Sequence, residues 1–92
     1  MEFEWDDNKA ALNIQKHGIS FEQAALAFSD LFAIEWIDER EDYGEERIII
    51  VGTSQGQILT VVYTERNERI RLISARRASK YEEELYFCHN GR

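Results

Sequence analysis

The sequence contains no proline, a single cysteine and no long apolar run. A lone cysteine forms no internal disulfide and builds no thiolate metal site, so we expect a reducing, cytoplasmic compartment, with Cys88 as a small buried hydrophobe. Because the sequence has no such run, we expect no signal peptide and no membrane-spanning helix. The five glycines are scattered and form no linker, so we expect one domain over residues 1–92.

The charge is distributed unevenly along the chain. The net charge is −7, yet residues 1–46 contain 13 acidic and 3 basic side chains, and residues 47–92 contain 5 acidic and 8 basic ones. An acidic average ordinarily argues against a nucleic-acid partner. The basic second half weakens that objection, and the division predicts two surfaces with different partners.

Helix signals dominate the first third of the sequence. Asp6 or Asp7 is suited to cap a helix that ends near Gly18. Ser20, three residues before Gln23, is typical of a capping box that starts a second helix. Its predicted core face consists of Phe21, Ala24, Ala25 and Phe28.

Strand signals follow, in residues 32–37, 47–51, 58–63 and 69–76. Their short connections predict an antiparallel meander. Ser79 and Glu82 then form a capping box for a last helix, whose predicted apolar stripe is Tyr81, Leu85 and Cys88. The predicted fold class is therefore α+β, with two N-terminal helices, a four-stranded antiparallel meander sheet and a C-terminal helix.

The last predicted strand carries arginines at both parities. Arg71 and Arg76 fall on opposite faces unless the strand bulges between them. Guanidinium groups suit phosphate oxygens, and the helix that starts at Ser79 adds free N–H groups nearby. The alternative interpretation is a set of surface arginines that pair with the acidic half.

Two further segments are rich in charge. Lys16 and His17 lie at a predicted helix C-terminus, where favourable capping alone explains two cations. Residues 38–46 are dense in carboxylates but lack the spacing of an EF-hand, so we expect a solvated loop or a docking site for a basic partner. We predict no metal site and no cofactor.

Taken in order, these segments resemble the BrnT family of toxins, over nearly the whole chain. The resemblance rests on Phe3-Glu4-Trp5-Asp6 with Lys9, on Asn13 with Lys16-His17-Gly18-Ile19-Ser20-Phe21-Glu22 and Ala24, on Glu46-Arg47 before an isoleucine-rich strand with Gly52, and on Ile70-Arg71-Leu72-Ile73-Ser74-Ala75-Arg76 with Ala78, Tyr81 and Glu82.

The resemblance implies a bacterial type II toxin with a RelE-like fold. Such a toxin is a metal-independent endoribonuclease that inhibits translation. It is held inactive by a BrnA-like antitoxin with a ribbon-helix-helix domain, and contact with DNA belongs to the antitoxin. No membrane partner is implied.

The sequence offers candidates for this chemistry. RNA supplies its own nucleophile, the 2′-hydroxyl, so the protein must align it, move protons and stabilise charge. We predict Arg71 and Arg76 as phosphate ligands, Lys16 as a further phosphate contact and His17 as general base or acid. The remaining candidates are Glu46 as an alternative base, Arg47 as a phosphate ligand, and Tyr81 as a positioning residue or proton donor. The alternative function is a non-catalytic module that binds a basic helical protein.

Overall fold

The computed structural model describes residues 1–40 and 42–91. The elements in chain order are β1 (Phe3–Glu4), α1 (Asp7–His17), α2 (Phe21–Ala25), a 3₁₀ turn (Leu26–Ser29), β2 (Ile34–Ile37), β3 (Ile48–Ser54), β4 (Gln57–Arg66), β5 (Arg69–Arg77) and α3 (Lys80–His89). Within the described residues, no helix combines the length and apolarity that a membrane crossing requires.

The sheet has five strands in the order β1-β5-β4-β3-β2. Strands β2 to β5 form the predicted antiparallel meander. The prediction of a purely antiparallel, four-stranded sheet is wrong, because β1 adds to β5 in parallel, with Phe3 opposite Ile70. A two-residue strand is too short to show a period of two in the sequence, and its partner lies at the other end of the chain.

The predicted helix ends are largely confirmed. Asp6 caps α1 by accepting a hydrogen bond from the Lys9 N–H, and Gly18 ends it with a φ of 69°. Ser20 caps α2, and both halves of the capping box between Ser79 and Glu82 form at the start of α3. These short-range signals fix where α1 and α3 begin, and both helices carry side chains of the site described below.

One face of the sheet is covered by α1, α2 and the 3₁₀ turn, and we call it the α1 face. Its largest fully buried side chains are Ile19, Phe21, Val61, Leu59 and Leu72. The 3₁₀ turn packs so closely on β3 that a Cβ atom on Gly52 would lie 2.8 Å from the Ala27 carbonyl oxygen. Only glycine therefore fits at position 52 without a shift of the backbone.

The opposite face, here the α3 face, packs against the C-terminal helix through Tyr86. Tyr86 lies against Ile49, Val51 and Val62, and its hydroxyl donates to Asp30 Oδ2 at 2.6 Å.

The predicted stripe of α3 is wrong, because Tyr81 is 69% exposed and Cys88 is also exposed. Glu82 and Tyr86, one turn apart, face inward instead: Glu82 accepts a hydrogen bond from Thr60 of β4, and Tyr86 donates one to Asp30, which follows the 3₁₀ turn.

A β-bulge interrupts β5 and decides which way its arginines point. Val62 pairs with Ser74 and Tyr63 pairs with Leu72, so Ile73 is an extra residue. Arg71 lies opposite Thr64 and Arg76 lies opposite Thr60, two positions of equal parity on β4. The bulge therefore places both arginines on the α3 face.

Candidate functional site

A cleft of about 370 Å³ opens on the α3 face, between the edge strand β2 and the N-terminal end of α3. It brings together side chains from seven parts of the chain. The lining residues are His17, Trp36, Arg40, Ile49, Thr60, Val62, Ser74, Arg76 and Glu82. Of the predicted site residues, the cleft contains His17 and Arg76.

Arg76 is held in the cleft by a bidentate ion pair. Its two terminal nitrogens donate to the Glu82 carboxylate at 2.8 and 2.9 Å. The same carboxylate accepts from the Ser79 N–H and the Thr60 hydroxyl, both at 2.8 Å. The Glu82 side chain is 12% exposed and that of Arg76 is 40% exposed, so the pair leaves part of the guanidinium open to the cleft.

The electrostatics of this pair follow from its contacts. Burial raises the pKa of Glu82, but the hydrogen bonds from Arg76, Ser79 and Thr60 outweigh it and lower that pKa to about 2. Hydrogen bonding to Glu82 raises the pKa of Arg76, while the nearby charge of Arg40 acts in the opposite direction. Arg40 and Arg76 are therefore two like charges that face one space.

Arg40 reaches the cleft from the β2–β3 connection. Its Nε and Nη2 atoms each donate to Asp38 at 2.7 Å, and these bonds lower the pKa of Asp38 to about 2. Asp38 is buried, whereas the Arg40 side chain is largely exposed. The acidic connection was predicted to be a solvated loop or a docking site for a basic partner, and its first carboxylate, Asp38, is instead buried and anchors Arg40 at the cleft. Glu41, which belongs to the same prediction, lies outside the described residues.

His17 is brought to the cleft by Asn13, one turn earlier in α1. The buried Asn13 amide donates to the carbonyl oxygens of Ile19 and Ala75 at 2.9 and 2.8 Å, and its oxygen accepts from the Ala75 N–H at 3.0 Å. Asn13 thus pairs with both backbone groups of Ala75, as a neighbouring strand would. This ties the end of α1 to β5 one residue before Arg76.

Lys16 lies beside the cleft rather than in it. A second depression, of about 180 Å³, is lined by Lys9, Leu12, Asn13, Lys16, His17, Ile73 and Ser74. His17 and Ser74 line both spaces, so the exposed Lys16 extends the basic character of the cleft along the outer side of β5.

Arg71 and Arg47 lie at the opposite end of the α3 face from Arg76. Arg71 donates to Glu4 Oε2 at 3.1 Å. Arg47 precedes β3, and its guanidinium carbon lies 4.0 Å above the ring of Tyr43. The positions opposite Arg71 and Arg76 are four residues apart on β4, roughly 13 Å at the usual rise per residue. The two arginines therefore share a face but are held at separate places on it, by Glu4 and Glu82.

The remaining candidates lie outside the cleft. Glu46 has an exposed side chain, and only its backbone carbonyl contacts the sheet, by accepting from the Thr64 hydroxyl at 2.7 Å. Tyr81 projects into solvent from the first turn of α3. Neither Glu46 nor Tyr81 is among the residues that line the cleft with Arg76.

Sequence reasoning missed several members of the site. Glu82 was recognised only as a helix cap, and Arg40 only as part of an acidic loop. Asn13 belonged to a segment that resembles the BrnT family, but no role was predicted for it. The available signal was the capping box, because a carboxylate fixed at the third position of a helix that follows Arg76 so closely is well placed to pair with it.

The described residues contain no group of three or more His, Cys, Asp or Glu side chains that could hold a metal ion. The model of the family described as "Ribonuclease toxin, BrnT, of type II toxin-antitoxin system" matches residues 5–82. A search of curated proteins found no match.

Proposed function

Because this chain belongs to the BrnT family of type II toxin–antitoxin ribonuclease toxins, we propose that it cleaves RNA in the cleft that joins His17 to Arg76. The observation that carries the proposal is the meeting of a histidine and two arginines in one partly enclosed space. These groups suit phosphodiester cleavage, which needs proton transfer and stabilisation of a phosphoryl group that gains negative charge.

The two arginines of the cleft form the phosphate site. Arg40 and Arg76 repel each other across the cleft, and a phosphate between them relieves that repulsion. The Glu82 carboxylate fixes the plane of the Arg76 guanidinium before substrate binds, so little ordering of that side chain remains when RNA enters. Arg76 is thereby oriented to stabilise the charge that develops on the phosphoryl oxygens.

His17 is the proton-transfer group of the proposed site. The 2′-oxygen forms a bond to phosphorus and the bond from phosphorus to the 5′-oxygen breaks, so one proton leaves the 2′-hydroxyl and one joins the departing oxygen. Glu82 is a poor base, because its pKa of about 2 gives the carboxylate little affinity for a proton and its oxygens already accept hydrogen bonds. Imidazole is the side chain best suited to exchange protons near neutral pH, and His17 carries it in this cleft.

The remaining basic side chains extend the site along an RNA strand. Lys16 lies next to the cleft, and Arg71 lies roughly 13 Å from Arg76 on the same face, a distance that suits another phosphate of the same strand. Glu46 and Tyr81 receive no role in the chemical step, because the structure keeps them away from the cleft.

The test is cleavage of RNA by the purified protein in the presence of EDTA. We expect products with 2′,3′-cyclic phosphate ends, since the 2′-hydroxyl is the nucleophile. Arg76→Ala should lower the rate by about a hundredfold or more, as removal of one good donor to a transition-state charge does. RNA that stays intact with folded, antitoxin-free protein would contradict the proposal and favour the interaction module.

We further propose that a BrnA-like ribbon-helix-helix antitoxin restrains this activity and that the activity inhibits translation. The margin of β2 suits such a partner, because the apolar side chains of Leu31 and Phe32 are exposed there beside Asp30 and Glu35. Expression in a bacterium should arrest growth and protein synthesis, and co-expression of the neighbouring reading frame should relieve both. Growth without arrest would count against the toxin role.

A further inference from the structure

The cleft has two chemically different sides. His17 and Arg76 line one side, on α1 and β5, whereas Trp36 stands on the opposite side, on the edge strand β2, with Arg40 in the β2–β3 connection that follows it. The floor between them is apolar and consists of Ile49 and Val62, which pair across the sheet between Trp36 and Ser74. A ligand that spans this cleft meets the guanidinium of Arg76 at one end and an aromatic ring at the other.

Trp36 is open to a ligand. It is 36% exposed, and within residues 1–40 and 42–91 its ring makes no contact with another aromatic ring. Its Cα position pairs with that of Ile49, whose side chain is buried under α3, so the strand that carries the ring is firmly held. A large ring on a rigid strand binds a flat partner at low cost in conformational entropy.

The separation between the two sides fits one nucleotide. Trp36 and Ser74 lie three strand spacings apart, roughly 14 Å between backbones, and the long side chains of Trp36 and Arg76 reach in from either side. The cleft volume of about 370 Å³ lies within the range of small-ligand sites.

We propose that Trp36 is a stacking platform for a nucleobase of the RNA strand, next to the phosphate that Arg76 holds. The proposal rests on the ribonuclease function proposed above and adds a base-binding subsite to it. Every base has a flat π face, so stacking on Trp36 provides affinity and positions the strand without choosing among bases.

The test uses an uncleavable probe, a short single-stranded oligonucleotide of 2′-O-methyl nucleotides. The protein has two tryptophans, and Trp5 packs against Phe21 under the α1 face, away from the cleft. Quenching of tryptophan fluorescence on binding should therefore report Trp36. We expect wild type and the control Trp5→Phe to show quenching, and Trp36→Leu to lose it and to bind the probe about tenfold more weakly or worse.

Two comparisons keep the outcome decisive. Trp36→Phe keeps a smaller aromatic face and should bind within a few-fold of wild type, which separates loss of stacking from loss of fold. In the second comparison, one base is removed from the probe at each position in turn. Removal of the base that stacks on Trp36 should weaken binding to wild type, and this loss of affinity should be absent in Trp36→Leu.

The two proposals fail in different ways. RNA cleavage by wild type, together with no quenching of wild-type fluorescence by the probe and with equal affinity of Trp36→Leu and wild type for it, would overturn the stacking role alone. Failure of wild type both to cleave RNA and to bind the probe would overturn the ribonuclease function and the stacking role together.

Discussion

Two of the arginine–carboxylate pairs on strand β5, Arg76 with Glu82 and Arg71 with Glu4, lie on one face of the sheet but differ in geometry and in burial. Arg76 makes two hydrogen bonds to Glu82, which also accepts from Ser79 and Thr60. Arg71 makes one bond of 3.1 Å to Glu4, and both of these side chains are about a quarter to a third exposed. The first pair lines the cleft and the second lies at the margin of the sheet.

The difference shows that pairing with a carboxylate neither marks an arginine as functional nor excludes it. Exposed or half-exposed pairs are worth little, because solvent screens them. At Arg76 the carboxylate is nearly buried and fully hydrogen-bonded, so it acts as a fixed support for a guanidinium that still faces the cleft.

The largest difference between the two pairs is expected for substitutions that keep the positive charge of the arginine. Arg76→Lys retains a cation but cannot form the bidentate bond to Glu82, so we expect RNA cleavage to fall by about thirtyfold or more. Arg71→Lys should stay within about threefold of wild type, because its single bond has no such geometry to lose. Cleavage rates of both variants on one RNA substrate test this expectation. Equal losses of rate in the two variants would contradict the distinction between the pairs.

Asn13 supports only the first pair, since it joins α1 to β5 beside Arg76. Asn13→Ala removes three hydrogen bonds and leaves the buried backbone groups of Ala75 without those partners, so the free energy of unfolding should fall by about 2–3 kcal/mol. The control is Asn8→Ala, an exposed position in the same helix, which should change it by less than about 0.5 kcal/mol. Urea unfolding measures both, and similar values for the two variants would contradict the proposed link.

The change in stability at acid pH is a further difference that we expect between the two pairs, and it is smaller than the preceding ones. Because the pKa of Glu82 is lowered to about 2 in the folded protein from an ordinary 4.5, its contribution to stability is present above pH 4.5 and is lost as the pH falls toward 2. Between about pH 5 and pH 3, Glu82→Gln should lose less stability than wild type, by roughly 1–2 kcal/mol. Glu4→Gln is the matched control from the more exposed pair, and an equal change in that variant would contradict the assignment.

The parts of the fold that depend on neighbouring residues could be predicted from the sequence. Asp6, Gly18, Ser20 and Ser79 act over three or four positions, and the helix ends follow from them. The parallel pairing of β1 could not be predicted, since its two residues carry no period and meet β5 only in space. The exposed face of α3 was misjudged because hydrophobic spacing favoured Tyr81, whereas hydrogen bonds of Glu82 and Tyr86 orient the helix.

Only part of the candidate site could be predicted from the sequence, for a related reason. His17 and Arg76 could be chosen by residue type, and the fold brings them to one cleft. Arg40 and Trp36 come from segments whose composition predicted a loop and an ordinary strand. Their approach to Arg76 depends on strand order and on the β2–β3 connection, and neither has a local signature.

The bulge at Ile73 makes the pairing register of β5 matter to its chemistry. If Ile73 paired in regular alternation instead of bulging, and the pairing before it were kept, Arg76 would turn from the α3 face toward the core under α1. Ala75, now fully buried, would turn outward in exchange. Deletion of Ile73 itself would leave Arg76 opposite Thr60 and on the α3 face, so the extra residue can be lost without loss of the cleft, whereas a slip of one residue after it cannot occur without reversing the two faces of the C-terminal half of β5.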